Sequence, residues 1–405
     1  MHARSENEGQ DKPLSFHWHA ADNSWLRHLP VPKMRTAKGK VAVEAILLDA
    51  IIEANGEDRW ISHARRPAHY TAAGRYQGTA YTCTTVVNGV DALHEAGLIE
   101  VIIAPPSPRA GWQSVFRASP LLRAAMVPNV TYDPGELIRL KIDKKLTDYK
   151  DTDATIRRRC KQRELNEPIE AAAIALEAPG VFVAGPAMKA GNVIAYPARK
   201  TLYRVFAEDF EHGGRHYGGW WQGIPGELRE SITIDGEPTV EPDYSQHHAR
   251  LLYRVAGKVL DGDAYTVDGY SRDIGKIGFQ ALINASSYAG AVGAVAKELA
   301  LDKIPVNPRT GRKRKPAEWE VKAERKEAHA IVAAVKRRNA AVADHFHKGV
   351  GMKLQRVDSD MAADVLKRLR SQNVVALPIH DSFIVKRQHE GLCREAMDAA
   401  FAAVA

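Results

Sequence analysis

Residues 374–387 read VVALPIHDSFIVKR. Two short apolar runs flank one polar step, and runs of this length and composition predict a β-hairpin rather than a helix. The step is His380-Asp381-Ser382, so the pattern holds a carboxylate at the hairpin turn, where the chain has little freedom to move it.

Two other stretches belong with it. Residues 238–253 read PTVEPDYSQHHARLLY, in which Asp243 ends an extended run and a helical pattern begins at once. Residues 271–290 read SRDIGKIGFQALINASSYAG, in which Arg272 and Lys276 stand four apart on a helical pattern and so share one face. Each motif alone arises readily by chance; an Asp at a strand end is ordinarily a cap or a surface turn.

Taken in order, an Asp at a strand end, a helix with paired Arg and Lys, and His-Asp in a hairpin turn resemble the three motifs of the family A nucleic-acid polymerases. That family includes bacterial DNA polymerase I and the single-subunit phage RNA polymerases. DYSQ at 243–246 is similar to the first motif of the DNA polymerases, and HDS at 380–382 to the phage-type version of the third. GGRHYGGWWQGIP at 213–225 resembles the segment that contacts primer-template, through Arg215 and Gln222 with Pro225. The resemblance covers about 210–390. It implies an α+β right-hand polymerase fold: a palm with an antiparallel sheet, and helical fingers and thumb.

It also implies roles. Two Mg²⁺, roughly 4 Å apart, stabilise the attacking and leaving oxygens in nucleotidyl transfer, and Mn²⁺ is a possible substitute. Asp243 and Asp381 would hold them, with the carbonyl of Tyr244 as a further ligand. Lys276 would deliver a proton to pyrophosphate and Arg272 would face the triphosphate. His380 joins Arg215 and Gln222 as a nucleic-acid contact, and Gln355 or Asp358 would face the template.

The pattern departs from the family at informative places. Where the DNA polymerases carry a hydrophobic residue and a Glu that blocks the ribose 2′-hydroxyl, this chain has His247 and His248. On the helix after Lys276, Gln280 and Asn284 stand where the family has aromatics, and Phe279 and Tyr288 lie nearby out of register. Three readings follow: a relaxed sugar filter, a gate rebuilt around His248, or a degenerate, inactive palm. His248 is favoured for substrate contact and His247 for the interior. The basic loop within 302–328, including Arg312 and Lys313, is either a solvated tip or a clamp on template phosphates.

Ahead of these motifs the chain reads differently. Residues 1–38 are polar and read as a tail; 39–55 place Val41, Ala45, Ile46 and Ile52 at helical spacing, an amphipathic helix. Within 79–118 come a helix from about Thr84 to a stop at Gly97, a strand, a Pro/Gly loop with Arg109 and Trp112, and a second strand. That order resembles a winged helix across 39–130. The resemblance implies either a DNA-binding module, with the 84–95 helix in a groove and Arg109 and Trp112 on the backbone, or a packing module only. Residues 131–178 are a basic helical linker or thumb-like region, its arginine run either solvated or laid along phosphates; 179–405 form the palm and fingers. The first 200 residues show no DxE motif with a downstream Asp pair, so no proofreading exonuclease is expected.

Lys and Arg number 57 against 49 Asp and Glu, a net charge of +8 that favours a polyanionic partner. The partners expected are DNA, as primer-template or duplex origin, and nucleoside triphosphates, with no membrane. Three scattered cysteines with no CxxC spacing exclude a zinc-thiolate site and point to a reducing, cytoplasmic setting. The expected activity is a compact DNA-directed DNA polymerase serving a plasmid, phage or mobile element. The alternatives are a phage-type RNA polymerase or primase, and a DNA-binding regulator with an inactive palm.

Overall fold

The structure is a computed structural model and describes residues 11–71, 73–105, 113–307 and 313–404. The fold is mixed α+β.

At its centre is a five-stranded antiparallel sheet in the order Ala376–Ile379, Ser382–Lys386, Glu237–Val240, Ile232–Ile234, Ile174–Leu176. The hairpin forms as the sequence predicts: Ile379 pairs with Ser382, leaving His380 and Asp381 as the two turn residues. His380 takes φ +56° to close it. The middle of the strand, residues 383–385, is apolar throughout because it is buried on both faces. Phe383 and Val385 enter one core, with Leu366 and Met397 from the helices Gly351–Ser371 and Glu390–Ala402. Ile384 enters the opposite core with Trp221 and Ile232.

Against this sheet stands a helical bundle of Arg272–Asn284, Tyr288–Asp302 and Arg325–Arg338, continuous with the first core through Phe279, Val295 and Val335. Gly275 is required where the first of these helices meets the 261–270 loop: a Cβ there would lie 1.8 Å from the carbonyl oxygen of Tyr265. A second sheet, ordered Gly213–Tyr217, Tyr203–Ala207, Ile138–Ile142, Lys145–Leu146, rests on the Gly351–Ser371 helix.

The N-terminal unit has its own core. Helix Ala37–Asn55, strand Ile61–His63, helix Cys83–Glu95 and strands Ile99–Ile102 and Ser114–Ala118 follow one another, and Ser114–Ala118 lies between the other two strands. Thr82 caps the Cys83–Glu95 helix in a reciprocal box with Thr85. Two expectations change here. The Ala37–Asn55 helix is no half-exposed amphipathic helix: Ala42, Ile46, Leu47, Leu48 and Ile51 bury it nearly all round, as its apolar composition demands. Residues 11–38, read as a polar tail that could be partly packed, are packed at their large side chains and exposed at many others. Lys12–Pro13 adds a parallel strand beside Ile61–His63, and Leu14, Phe16, Trp18 and Trp25 are buried. A few large side chains spaced along a polar stretch carry that packing, which average polarity conceals.

Asp153–Ala171 is the expected basic helix: Arg159 makes paired 2.9 Å bonds to both carboxylate oxygens of Glu136, while Arg157, Lys161 and Arg163 are exposed. Among the described residues no helix is long and apolar enough to cross a membrane.

One buried ion pair holds the Lys12–Pro13 strand to the central helix. The Asp49 side chain is fully buried, accepts from the Ser15 backbone N–H at 3.0 Å and pairs with Lys12. Lys12→Met leaves that carboxylate without its cation and should cost about 3 kcal/mol in urea unfolding. Lys12→Met/Asp49→Leu should recover most of the loss, since an apolar pair of similar volume is often neutral.

Candidate functional site

After Val240, which pairs with Val385, the chain runs on beside the hairpin. Asp243 forms a bridge to Ser382, and the Phe383 N–H donates to the Pro242 carbonyl at 3.1 Å. The strand's end is thereby fixed next to the hairpin turn, so Asp243 and Asp381 are brought to one place from distant segments. Gln246 then turns the chain with φ +53°, accepting from the Ala264 N–H at 2.7 Å, and the helix His247–Val255 begins.

The two carboxylates open into a cavity of about 320 Å³. It is also lined by Tyr244, Ser245, Gln246, His247 and His248 from the chain after Asp243, by Tyr265, and by Arg272, Lys276 and Gln280. The last three lie on one face of Arg272–Asn284, as their four-residue spacing requires. Partial burial, and then the facing charge of Asp381, push the Asp243 carboxyl upward from its ordinary value. Two facing carboxylates opposite an exposed Lys276 make a site that gains from a cation. Among the described residues no three His, Cys, Asp or Glu side chains gather to hold a metal ion unaided. Two carboxylates suffice for Mg²⁺ only when a backbone carbonyl, waters and a ligand's phosphates complete the shell, which is the usual manner of that ion.

Behind the cavity lies a hydrogen-bonded cluster. Asp358, 2% exposed on Gly351–Ser371, accepts from Arg215 Nε at 2.9 Å and from His247 Nε2 at 2.9 Å. Burial raises this carboxyl, but the His247 bond and charge, followed by the Arg215 charge, outweigh it and hold the pKa at about 2. Arg215 Nη2 also lies 3.3 Å from His248 Nε2, and since a guanidinium only donates, that nitrogen accepts. His248 Nδ1 then carries the proton, 3.2 Å from the Gln280 amide, which must turn its oxygen toward the ring. Burial pushes the His248 imidazole down, in keeping with this neutral tautomer.

The cavity gathers Asp243, Asp381, Tyr244, Arg272, Lys276, His248 and Gln280. Arg272 is folded onto Asp263, 2.6 Å away, in the loop before its helix. Asn284 lies outside the cavity wall and hydrogen-bonds back to the Gln280 carbonyl at 2.8 Å. Tyr244 keeps its ring in the core, its hydroxyl donating to the Met397 carbonyl at 2.6 Å. His247 is interior, as expected.

Other assignments have structural partners. Gln222 donates to the carbonyls of His216 and Pro378, both at 3.0 Å, tying the Gly213–Tyr217 strand to the hairpin. His380 packs edge-on to Tyr217 with ring centres 5.9 Å apart. Asp358 does not face a groove: it is buried under Arg215 and His247, because the guanidinium and the imidazole N–H draw the carboxylate inward. Gln355 is half-buried one turn earlier. Lys313 donates to the carbonyls of Leu301 and Asp302, capping a helix C-terminus, where a cation is stabilised. Arg109, Trp112 and Arg312 lie outside the described residues.

Tyr265 and Asp263 went unread in the sequence. Their signal was the turn-rich DGDAYTVDGY just before Arg272. Asp358→Asn should cost about 2 kcal/mol at pH 7, the worth of its depressed pKa. A depressed carboxyl contributes stability above the unfolded value and loses it as pH falls from about 4 to about 2. The variant's unfolding free energy should therefore fall less steeply than wild type across that window. The sequence matches no protein-family model, and no curated protein matches it significantly.

Proposed function

We propose that the chain is a template-directed nucleotidyltransferase of the family A polymerase type, with the cavity as its active site. One observation carries this reading: Asp243 and Asp381, from separate segments, meet across a cavity from Arg272 and Lys276 of a single helix face. Acids on one wall and cations on the other are what a metal-bound triphosphate requires.

In this reading Asp243 and Asp381 hold the divalent ions with the Tyr244 carbonyl. Those ions, when bound, lower the charge on the reacting phosphate and on the attacking and leaving oxygens. Arg272 exchanges Asp263 for the triphosphate when the nucleotide enters, and Lys276, exposed at the cavity, protonates the departing pyrophosphate. His248, held by Arg215 and Gln280, stands at the ribose. With the short helix Ala73–Gln77 ahead of Cys83–Glu95, the order helix, strand, helix, helix, strand, strand, with the last strand in the middle, supports a winged helix for the N-terminal unit. DNA is its proposed ligand.

The test is primer extension with Mg²⁺ or Mn²⁺ and all eight nucleotides, on primed and unprimed template. Metal-dependent incorporation of dNTPs on the primed template is expected. Asp243→Ala and Asp381→Ala should each abolish it while leaving DNA binding in place, and Lys276→Ala should lower kcat by roughly 10²-fold. Full incorporation by either Asp variant sinks the assignment.

A second reading, a ribonucleotide polymerase, is favoured by one specific observation: an imidazole at position 248 where the DNA enzymes carry a carboxylate. His248→Glu should raise the dNTP to rNTP preference by about tenfold or more. An unchanged ratio removes His248 from sugar selection, and rNTP use without primer favours the second reading.

A further inference from the structure

Among the described residues Trp319 is the most exposed large aromatic, 71% accessible, on the helix Glu318–Ala323. An exposed indole offers a large flat face on which another ring can stack. Glu324, with φ −84° and ψ −7°, both ends this helix and starts Arg325–Arg338, so the two run on with a helical residue between them. Positions 319, 322 and 326 then recur at i, i+3 and i+7 and fall on one face: Trp319, Lys322, Lys326.

Two of the four neighbouring acids are engaged elsewhere. Glu320 accepts from Arg314 Nη1 at 2.7 Å and from the Ala317 N–H at 2.6 Å, and Glu324 pairs with Lys303 at 2.5 Å. Among the described residues Lys322, Arg325 and Lys326 form no ion pair, and neither do the neighbouring acids Glu318 and Glu327. The face thus sets an indole plane beside two ammonium groups that form no ion pair, with three unpaired cations in the stretch against two unpaired acids. A protein partner would call for a contiguous apolar patch, and a lone aromatic among cations does not provide one. An unpaired nucleic-acid strand fits, because each base offers a free π-face and each linkage a phosphate. A duplex fits less well, since its bases are already stacked on one another.

We propose that Trp319, Lys322 and Lys326 form a binding surface for single-stranded nucleic acid, a base stacked on the indole and phosphates against the two lysines. The proposal rests on the polymerase reading only for the identity of that strand as template; the binding needs no active site.

The test titrates a labelled oligothymidylate of about a dozen nucleotides against the full chain, without divalent cation or nucleotide, by fluorescence anisotropy. Trp319→Ala should weaken binding about tenfold and Trp319→Phe by less than about threefold, since a smaller ring still stacks. An equal-length duplex should bind wild type and Trp319→Ala alike. Lys322→Gln/Lys326→Gln should lower the log–log salt slope by about 1.4. Unchanged oligothymidylate affinity in Trp319→Ala, an equal loss for strand and duplex, or a Trp319→Phe as weak as Trp319→Ala overturns the proposal. Asp243→Ala should bind the strand like wild type. Trp319-dependent binding in a chain that never extends a primer would therefore sink the catalytic reading and leave this surface standing.

Discussion

The buried carboxylate of Asp358 joins three separate pieces of the chain. From one helix it takes His247 at the start of a second and Arg215 on a strand of another sheet. Through Arg215 and His248 the connection reaches Gln280 on the helix that carries Lys276 and Arg272. A carboxylate with so little access to water is stable as an anion only because two partners hold it, and each partner is oriented in return. The acids and cations of the cavity are therefore held in place by a cluster whose His247, His248 and Gln280 form part of the cavity lining, while Asp358 stays buried behind them.

The opposite wall depends on strand register. Asp381 sits in a two-residue turn that admits one pairing, Ile379 with Ser382, and Ser382 in turn bridges Asp243. A slip of one residue would turn Phe383 and Val385 out of one core and Ile384 out of the other. Both acids are thus positioned by apolar packing on the two faces of a single strand. Burial first, and then their mutual repulsion, raise the Asp243 pKa, and that packing carries the strain of holding the two acids together.

Legibility in the sequence followed the range of the interactions. The hairpin, the helix of Arg272 and Lys276 and the helix Cys83–Glu95 were readable because apolar period, turn residues and caps are local signals. Asp243 and Asp381 were readable as a pair only through the order of three motifs. What escaped was set by contacts distant in sequence. Asp358 looks like a surface residue of a charged helix until Arg215 and His247 close on it, and Trp18 and Trp25 look like isolated aromatics until the Ala37–Asn55 helix covers them. Gln222 and Lys313 read as contacts for a ligand because donors are visible in a sequence and the carbonyls that take them are not.

The central claim is that Asp243 and Asp381 together hold a divalent cation against a triphosphate. Electron paramagnetic resonance of Mn²⁺, titrated into the chain with a nucleoside triphosphate present, tests it without requiring turnover. Bound Mn²⁺ that disappears in Asp243→Asn/Asp381→Asn, with the fold intact, is the result expected. Mn²⁺ binding of equal affinity in wild type and the double variant would contradict it.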